Sequence, residues 1–136
     1  VTLDDIVHWF ETLSREALRD IGRFYADEAW FKDPFNEVTG VDAIGRVFAH
    51  MFDQVGDPRF RVLERWQDAH GAVLTWEFSF RLRGRAQLVR GASHLRFAPD
   101  GRICYHRDYW DAAEELYAKL PLLGPLMRFL QRRARA

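Results

Sequence analysis

The sequence predicts an α+β fold in which N-terminal helices pack on a curled antiparallel sheet. Apolar residues recur at helical spacing as far as Val55, and beyond Gly56-Asp57-Pro58 the period changes to alternation through four long segments. The connections between those segments are short, and short connections join antiparallel neighbours. A chain of 136 residues is one domain's worth, residues 1–136, with 111–136 as a helical extension.

The elements follow in order. Leu3, Ile6, Val7, Phe10, Leu13, Ala17 and Leu18 mark a helix over residues 3–18, started by Thr2 or Asp4. A second helix over 17–27 turns Leu18, Ile21, Phe24 and Tyr25 inward, either continuous with the first or kinked near Ser14. Ala29, Trp30 and Phe31 form a short extended piece that ends at Pro34, because proline disfavours helix at the preceding residue. Residues 35–40 read as a loop, and 41–55 as a third helix with Ile44, Val47, Phe48, Met51, Phe52 and Val55 on one stripe. Strands are predicted over 59–69, 72–83, 86–98 and 102–110. Their turns are His70-Gly71, Arg83-Gly84-Arg85 and Pro99-Asp100-Gly101-Arg102. From Asp111 the pattern is helical again, broken at Pro121, with Leu126, Met127, Phe129 and Leu130 beside Arg128, Arg132, Arg133 and Arg135.

Side chains on a strand alternate between faces. Leu74, Trp76, Phe78, Phe80 and Leu82 share one face, opposite Thr75, Glu77, Ser79 and Arg81. Val89, Gly91, Ser93, Leu95 and Phe97 continue the apolar face, leaving Arg90, His94 and Arg96 outside. The last strand offers two sets, Cys104, His106, Asp108 and Trp110 or Ile103, Tyr105, Arg107 and Tyr109, and alternation alone does not choose.

Bulk composition narrows the function. Twenty basic residues balance twenty acidic ones, so no global field recruits nucleic acid. Cys104 is the single cysteine, which excludes a disulfide within the chain and fits a reducing, cytoplasmic setting. Charges interrupt every apolar run, and the start VTLDDIVHWF lacks the basic and apolar regions of a signal peptide. No glycine-rich phosphate loop or dinucleotide fingerprint is present, so no cofactor is expected. Aromatic residues reach 15%, a surplus that suits a cavity wall as well as a solid core. The basic C-terminal segment allows contact with an anionic membrane, but packing on the domain or a partner is the preferred reading.

The segment YADEAWFKDPFNEVTG, followed by VDAIGRVFAHMF, by HLRFAPDGRI and by the closing Tyr109-Trp110, resembles the nuclear transport factor 2-like superfamily, including ketosteroid isomerases and SnoaL-like polyketide cyclases. The resemblance implies a cone-shaped domain whose concave sheet face lines a pocket for a small apolar molecule, and a homodimer through the polar outer face. It places Asp33 at the general-base position of the isomerases. Trp9, with Phe10 beside it, stands where they have a tyrosine donor, and Ser93 where they have a protonated aspartate. The same register turns His106, Asp108 and Trp110 inward. Without those donors an enolate oxygen loses its stabilisation, so steroid isomerisation itself is disfavoured.

The expected catalytic set is therefore Asp33 as proton acceptor, with His106 and Asp108 as acid–base or positioning partners. The expected binding wall is Trp9, Phe10, Phe52, Trp76, Phe78, Phe80, Ser93, Leu95 and Trp110. Asp33, His106 and Asp108 lack the spacing of a metal site. Each assignment has a plainer alternative: Asp33 organises the turn before Pro34, His106 and Asp108 order the strand, and the whole domain binds a ligand without turning it over.

Overall fold

In the computed structural model, which describes residues 1–115, 129 and 132–134, the chain runs α1 (Leu3–Glu11), a 3-10 turn (Glu16–Asp20), α2 (Ile21–Phe24), β1 (Tyr25–Lys32), β2 (Glu37–Thr39), α3 (Val41–Gln54), β3 (Gly56–Gln67), β4 (Gly71–Leu82), β5 (Arg85–Phe97), β6 (Ile103–Tyr109) and α4 (Ala112–Glu115). The six strands form one open sheet in the order β2-β1-β6-β5-β4-β3. Strands β3 to β6 are the predicted antiparallel meander. The sheet as a whole is mixed, because β1 lies parallel to β6.

Helix α1 starts on a capping box: the Thr2 hydroxyl accepts from the Asp5 amide at 3.2 Å, and the Asp5 carboxylate accepts from the Thr2 amide at 2.9 Å. It ends at Glu11, well short of residue 18. The Ser14 hydroxyl accepts the Ala17 amide at 3.1 Å and starts the 3-10 turn, so the break falls near Ser14. The predicted second helix shrinks to Ile21–Phe24, and Tyr25 opens a strand instead. The extended piece before Pro34 is thus the end of an eight-residue strand, and part of the predicted loop pairs with it as β2. Gly40, at φ 101°, turns the chain from β2 into α3 while its amide reaches Ala29 O at 2.8 Å.

The β4–β5 hairpin closes through Arg83 and Gly84, both at positive φ (52° and 77°), the geometry of a two-residue type I′ turn. Ile6, Ile44, Leu74, Leu95 and Ile103 are fully buried between helices and sheet. The ambiguous last strand resolves at a bulge. The β5–β6 register passes from Phe97–Ile103 to Arg96–Tyr105, leaving Cys104 unpaired, and its Sγ lies 3.4 Å from Arg96 O. Ile103 and His106 therefore both point inward, which strict alternation forbids. Most of the C-terminal extension, with its apolar and arginine-rich stretch, lies outside the described residues.

Candidate functional site

The inner sheet face and α3 enclose a pocket of about 470 Å³. Strand β4 contributes Trp76, Phe78 and Phe80, the stripe predicted by alternation. Phe60 stacks on Phe78 at 4.4 Å, and Phe78 on Phe80 at 5.0 Å, so these rings form one continuous wall. Helix α3 supplies Val47, Phe48, His50, Met51 and Gln54 opposite. Phe35 and Trp110 meet edge to face at 5.5 Å and bring the β1–β2 connection against the end of β6.

Two carboxylates line this pocket, Asp33 and Asp108. Asp33 Oδ1 accepts from the amides of Phe35 (2.8 Å) and Asn36 (2.6 Å), and the Asn36 side-chain amide spans both oxygens at 3.1 Å. Asp33 thus reaches the pocket wall and also builds the turn around Pro34.

Asp108 sits at the end of a chain of polar groups that runs into the apolar interior. Its Oδ1 is 2.6 Å from His106 Nε2, and the Ser93 hydroxyl donates to the same oxygen at 2.5 Å. Ser93 Oγ in turn accepts from the indole N–H of Trp76 at 2.9 Å. On its other side, His106 Nδ1 lies 2.7 Å from the Tyr25 hydroxyl. Burial first, and the negative charge of Asp108 second, push the Tyr25 phenol well above its ordinary value, so it stays protonated and donates. Nδ1 then accepts, Nε2 carries the hydrogen, and Nε2–H donates to the carboxylate. The network assigns this tautomer, the one that presents an oriented imidazole to Asp108.

Packing holds the imidazole in place. His106 is 3% exposed; it stacks parallel to Tyr25 at 6.0 Å and meets the edges of Phe31 (4.8 Å) and Phe10 (5.8 Å). No buried side-chain nitrogen or oxygen among the described residues lacks a hydrogen-bond partner. Beneath the main pocket a recess of about 20 Å³, lined in part by Phe10, Ser93, His106 and Asp108, leaves room for about one water molecule.

The remaining expected wall residues divide. Phe10 and Ser93 line the recess, and Trp110 lines the main pocket. Trp9 does not reach either space: its indole stacks on Phe24 at 4.9 Å and donates to Ala17 O at 3.1 Å, because α1 presents Phe10 to His106 and turns Trp9 toward α2. Leu95 is fully buried and packs in the core, outside both linings. Phe52 lies on the outer flank of α3, where the Arg15 guanidinium covers its ring at 5.7 Å. Tyr25 is the residue that sequence reasoning missed. Its helical neighbours Ile21 and Phe24 made it look like plain core, and its role depends on the parallel β1–β6 pairing of segments about eighty residues apart. Among the described residues, no group of three or more histidine, cysteine or acidic side chains is placed to hold a metal ion, and no helix is long and apolar enough to cross a membrane.

A family model described as SnoaL-like domain matches residues 6–106. Several solved structures share the fold. A hypothetical protein with a ketosteroid isomerase-like fold from Catenulispora acidiphila, in complex with trimethylamine, is 15% identical over 85% of this chain and 92% of that one, with a TM-score of 0.71. A putative SnoaL-like polyketide cyclase from Jannaschia sp. CCS1 is 13% identical over 82% and 86%, TM-score 0.68. An LEH-like epoxide hydrolase of M. tuberculosis is 15% identical over 95% and 92%, TM-score 0.69. No curated protein matches the sequence.

Proposed function

The chain belongs to the SnoaL-like domain family, and from that premise we propose that it is an acid–base enzyme for a small, mainly apolar organic molecule. Asp33 is the proton acceptor. Asp108, oriented by His106 and Tyr25, is the second proton-handling group across the same pocket. The observation that carries this reading is the Tyr25–His106–Asp108–Ser93 chain, which delivers a carboxylate to a pocket walled mostly by aromatic and aliphatic side chains. Placing three further polar side chains behind one carboxylate is costly in an apolar interior unless each is paired, and here each is.

The chemistry needs no cofactor. A carboxylate removes a proton from carbon next to a carbonyl, and the carboxylic acid this forms returns the proton at another carbon or to a hydroxyl that leaves as water. Neighbours described as a polyketide cyclase and an epoxide hydrolase support conversion of an organic molecule as the general class. One observation favours non-catalytic binding as the second reading: the Asp33 carboxylate is already occupied by turn donors.

Solvent-deuterium exchange separates the two. The protein is incubated in heavy water with a panel of cyclic and aryl ketones, and deuterium uptake is read by mass spectrometry. Catalysed exchange is expected, with Asp33→Asn and Asp108→Asn each lowering it by about 10²–10⁴-fold. Exchange at the wild-type rate in both variants removes the acid–base assignment. Ligand binding without exchange selects the second reading.

A further inference from the structure

Charge inside the pocket is one-sided. Its polar lining consists of Asp33, Asn36, His50, Gln54 and Asp108, with no lysine or arginine among the described lining residues. None of the described lysine or arginine ion pairs involves Asp33 or Asp108. Among the described residues, cations approach from the outer side only, where Lys32 and Arg107 border an adjoining cleft that shares the same two aspartates. Lys32 Nζ is 3.5 Å from Glu37, the Arg107 guanidinium lies over the Tyr109 ring at 4.9 Å, and Asp111 adds a third carboxylate to that cleft. Among the described residues, the pocket mouth therefore keeps a negative balance.

The other half of the observation is the rings. Phe35 and Trp110 form an edge-to-face corner at the level of the two aspartates, and Phe60, Phe78 and Phe80 continue as a stacked wall beyond it. Aromatic faces carry negative potential and attract a desolvated cation. A carboxylate ligand meets like charge here, and a neutral one desolvates the aspartates with only the hydrogen bonds they already hold as compensation.

We propose that this pocket selects ligands bearing a protonated or quaternary amine on an apolar body. The nitrogen lies between Asp33, Asp108 and the Phe35–Trp110 corner, and the apolar body lies along Phe60, Phe78 and Phe80. The proposal rests on the pocket as a binding site and is independent of the proton-transfer reading above.

Three probes of similar size and different charge test it: benzyltrimethylammonium, its neutral isostere neopentylbenzene, and the anion 3-phenylpropanoate. Affinities are measured by tryptophan-fluorescence titration of the full chain at low and high salt. The ammonium is expected to bind at least about tenfold tighter than the neutral isostere, and the anion weakest, with the preference shrinking as salt rises. Asp108→Asn should lower ammonium affinity by about tenfold and leave the neutral probe unchanged. Asp33→Asn, which keeps a turn acceptor, serves as the second variant if Asp108→Asn unfolds. Equal or tighter binding of the neutral probe overturns the amine preference and leaves the pocket and its chemistry standing. Tightest binding of the anion overturns it outright, and failure of all three to bind removes the pocket reading as well.

Discussion

Gly91→Ala tests whether the polar chain behind Asp108 depends on how closely two strands can approach. A Cβ at position 91 falls 2.5, 2.7 and 3.0 Å from three carbons of the Trp76 indole, where ordinary contact begins near 3.4 Å. Residues 91 and 76 are cross-strand partners, so backbone displacement cannot relieve the clash without breaking the β4–β5 ladder. The ring must retreat by about 1 Å. The Trp76–Ser93 hydrogen bond, 2.9 Å long, then stretches beyond hydrogen-bonding range. Overpacking costs about 1–3 kcal/mol, and an unmade buried N–H costs about 1–3 kcal/mol. The expected loss is about 2–6 kcal/mol in urea unfolding followed by circular dichroism. Gly22→Ala is the control. Its Cβ meets nothing within 4 Å, and it lies in α2, so it should hold stability or raise it by up to about 1 kcal/mol. A double-mutant cycle sharpens the test: Trp76→Phe should cost about 1 kcal/mol less in the Gly91→Ala background, because the hydrogen bond is already gone. A Gly91→Ala protein within about 0.5 kcal/mol of wild type, or strict additivity in the cycle, refutes the reasoning.

Two further outcomes are expected. The Tyr25 phenol is raised above its ordinary value of 10.0, so between that value and its folded value the native state holds a proton that the unfolded chain has released; its stabilising contribution, intact below pH 10, is lost as pH rises further. Alkaline unfolding of Tyr25→Phe should lack that part of the slope, and an unchanged slope contradicts the buried donor. The outer sheet face, expected from sequence to be polar, exposes Trp66, Val73, Leu88 and Tyr109 beside its charges. If it forms the homodimer implied by the family resemblance, wild type sediments as a dimer and Val73→Glu with Tyr109→Glu as a monomer; a monomeric wild type at high concentration rules this out.

Much of the architecture was legible because local rules and tertiary packing agreed. Alternation in β4 identified Trp76, Phe78 and Phe80 as one face, and the structure lines the pocket with that face. The register carried over from related isomerases also turned His106, Asp108 and Trp110 inward. Misreadings concentrated where a rule with one period met a local irregularity. Residues 17–27 satisfy a helical pattern, yet Tyr25 is drawn into a strand because β6 offers a parallel edge. Trp9 and Phe10 are adjacent on a helix, so they diverge by about 100°, and only one of them can face His106.

By itself the sequence determined the α+β class, the meander and its turns, the absence of an internal disulfide, and the aromatic wall, because each follows from the order of residues along a short stretch. Tertiary structure alone decided that Tyr25 would meet His106, that a bulge at Cys104 would turn both Ile103 and His106 inward, and that Asp33 and Asp108 would share one pocket. Those outcomes join residues up to 81 positions apart, and such contacts are set by sheet register and helix rotation, which no local pattern records.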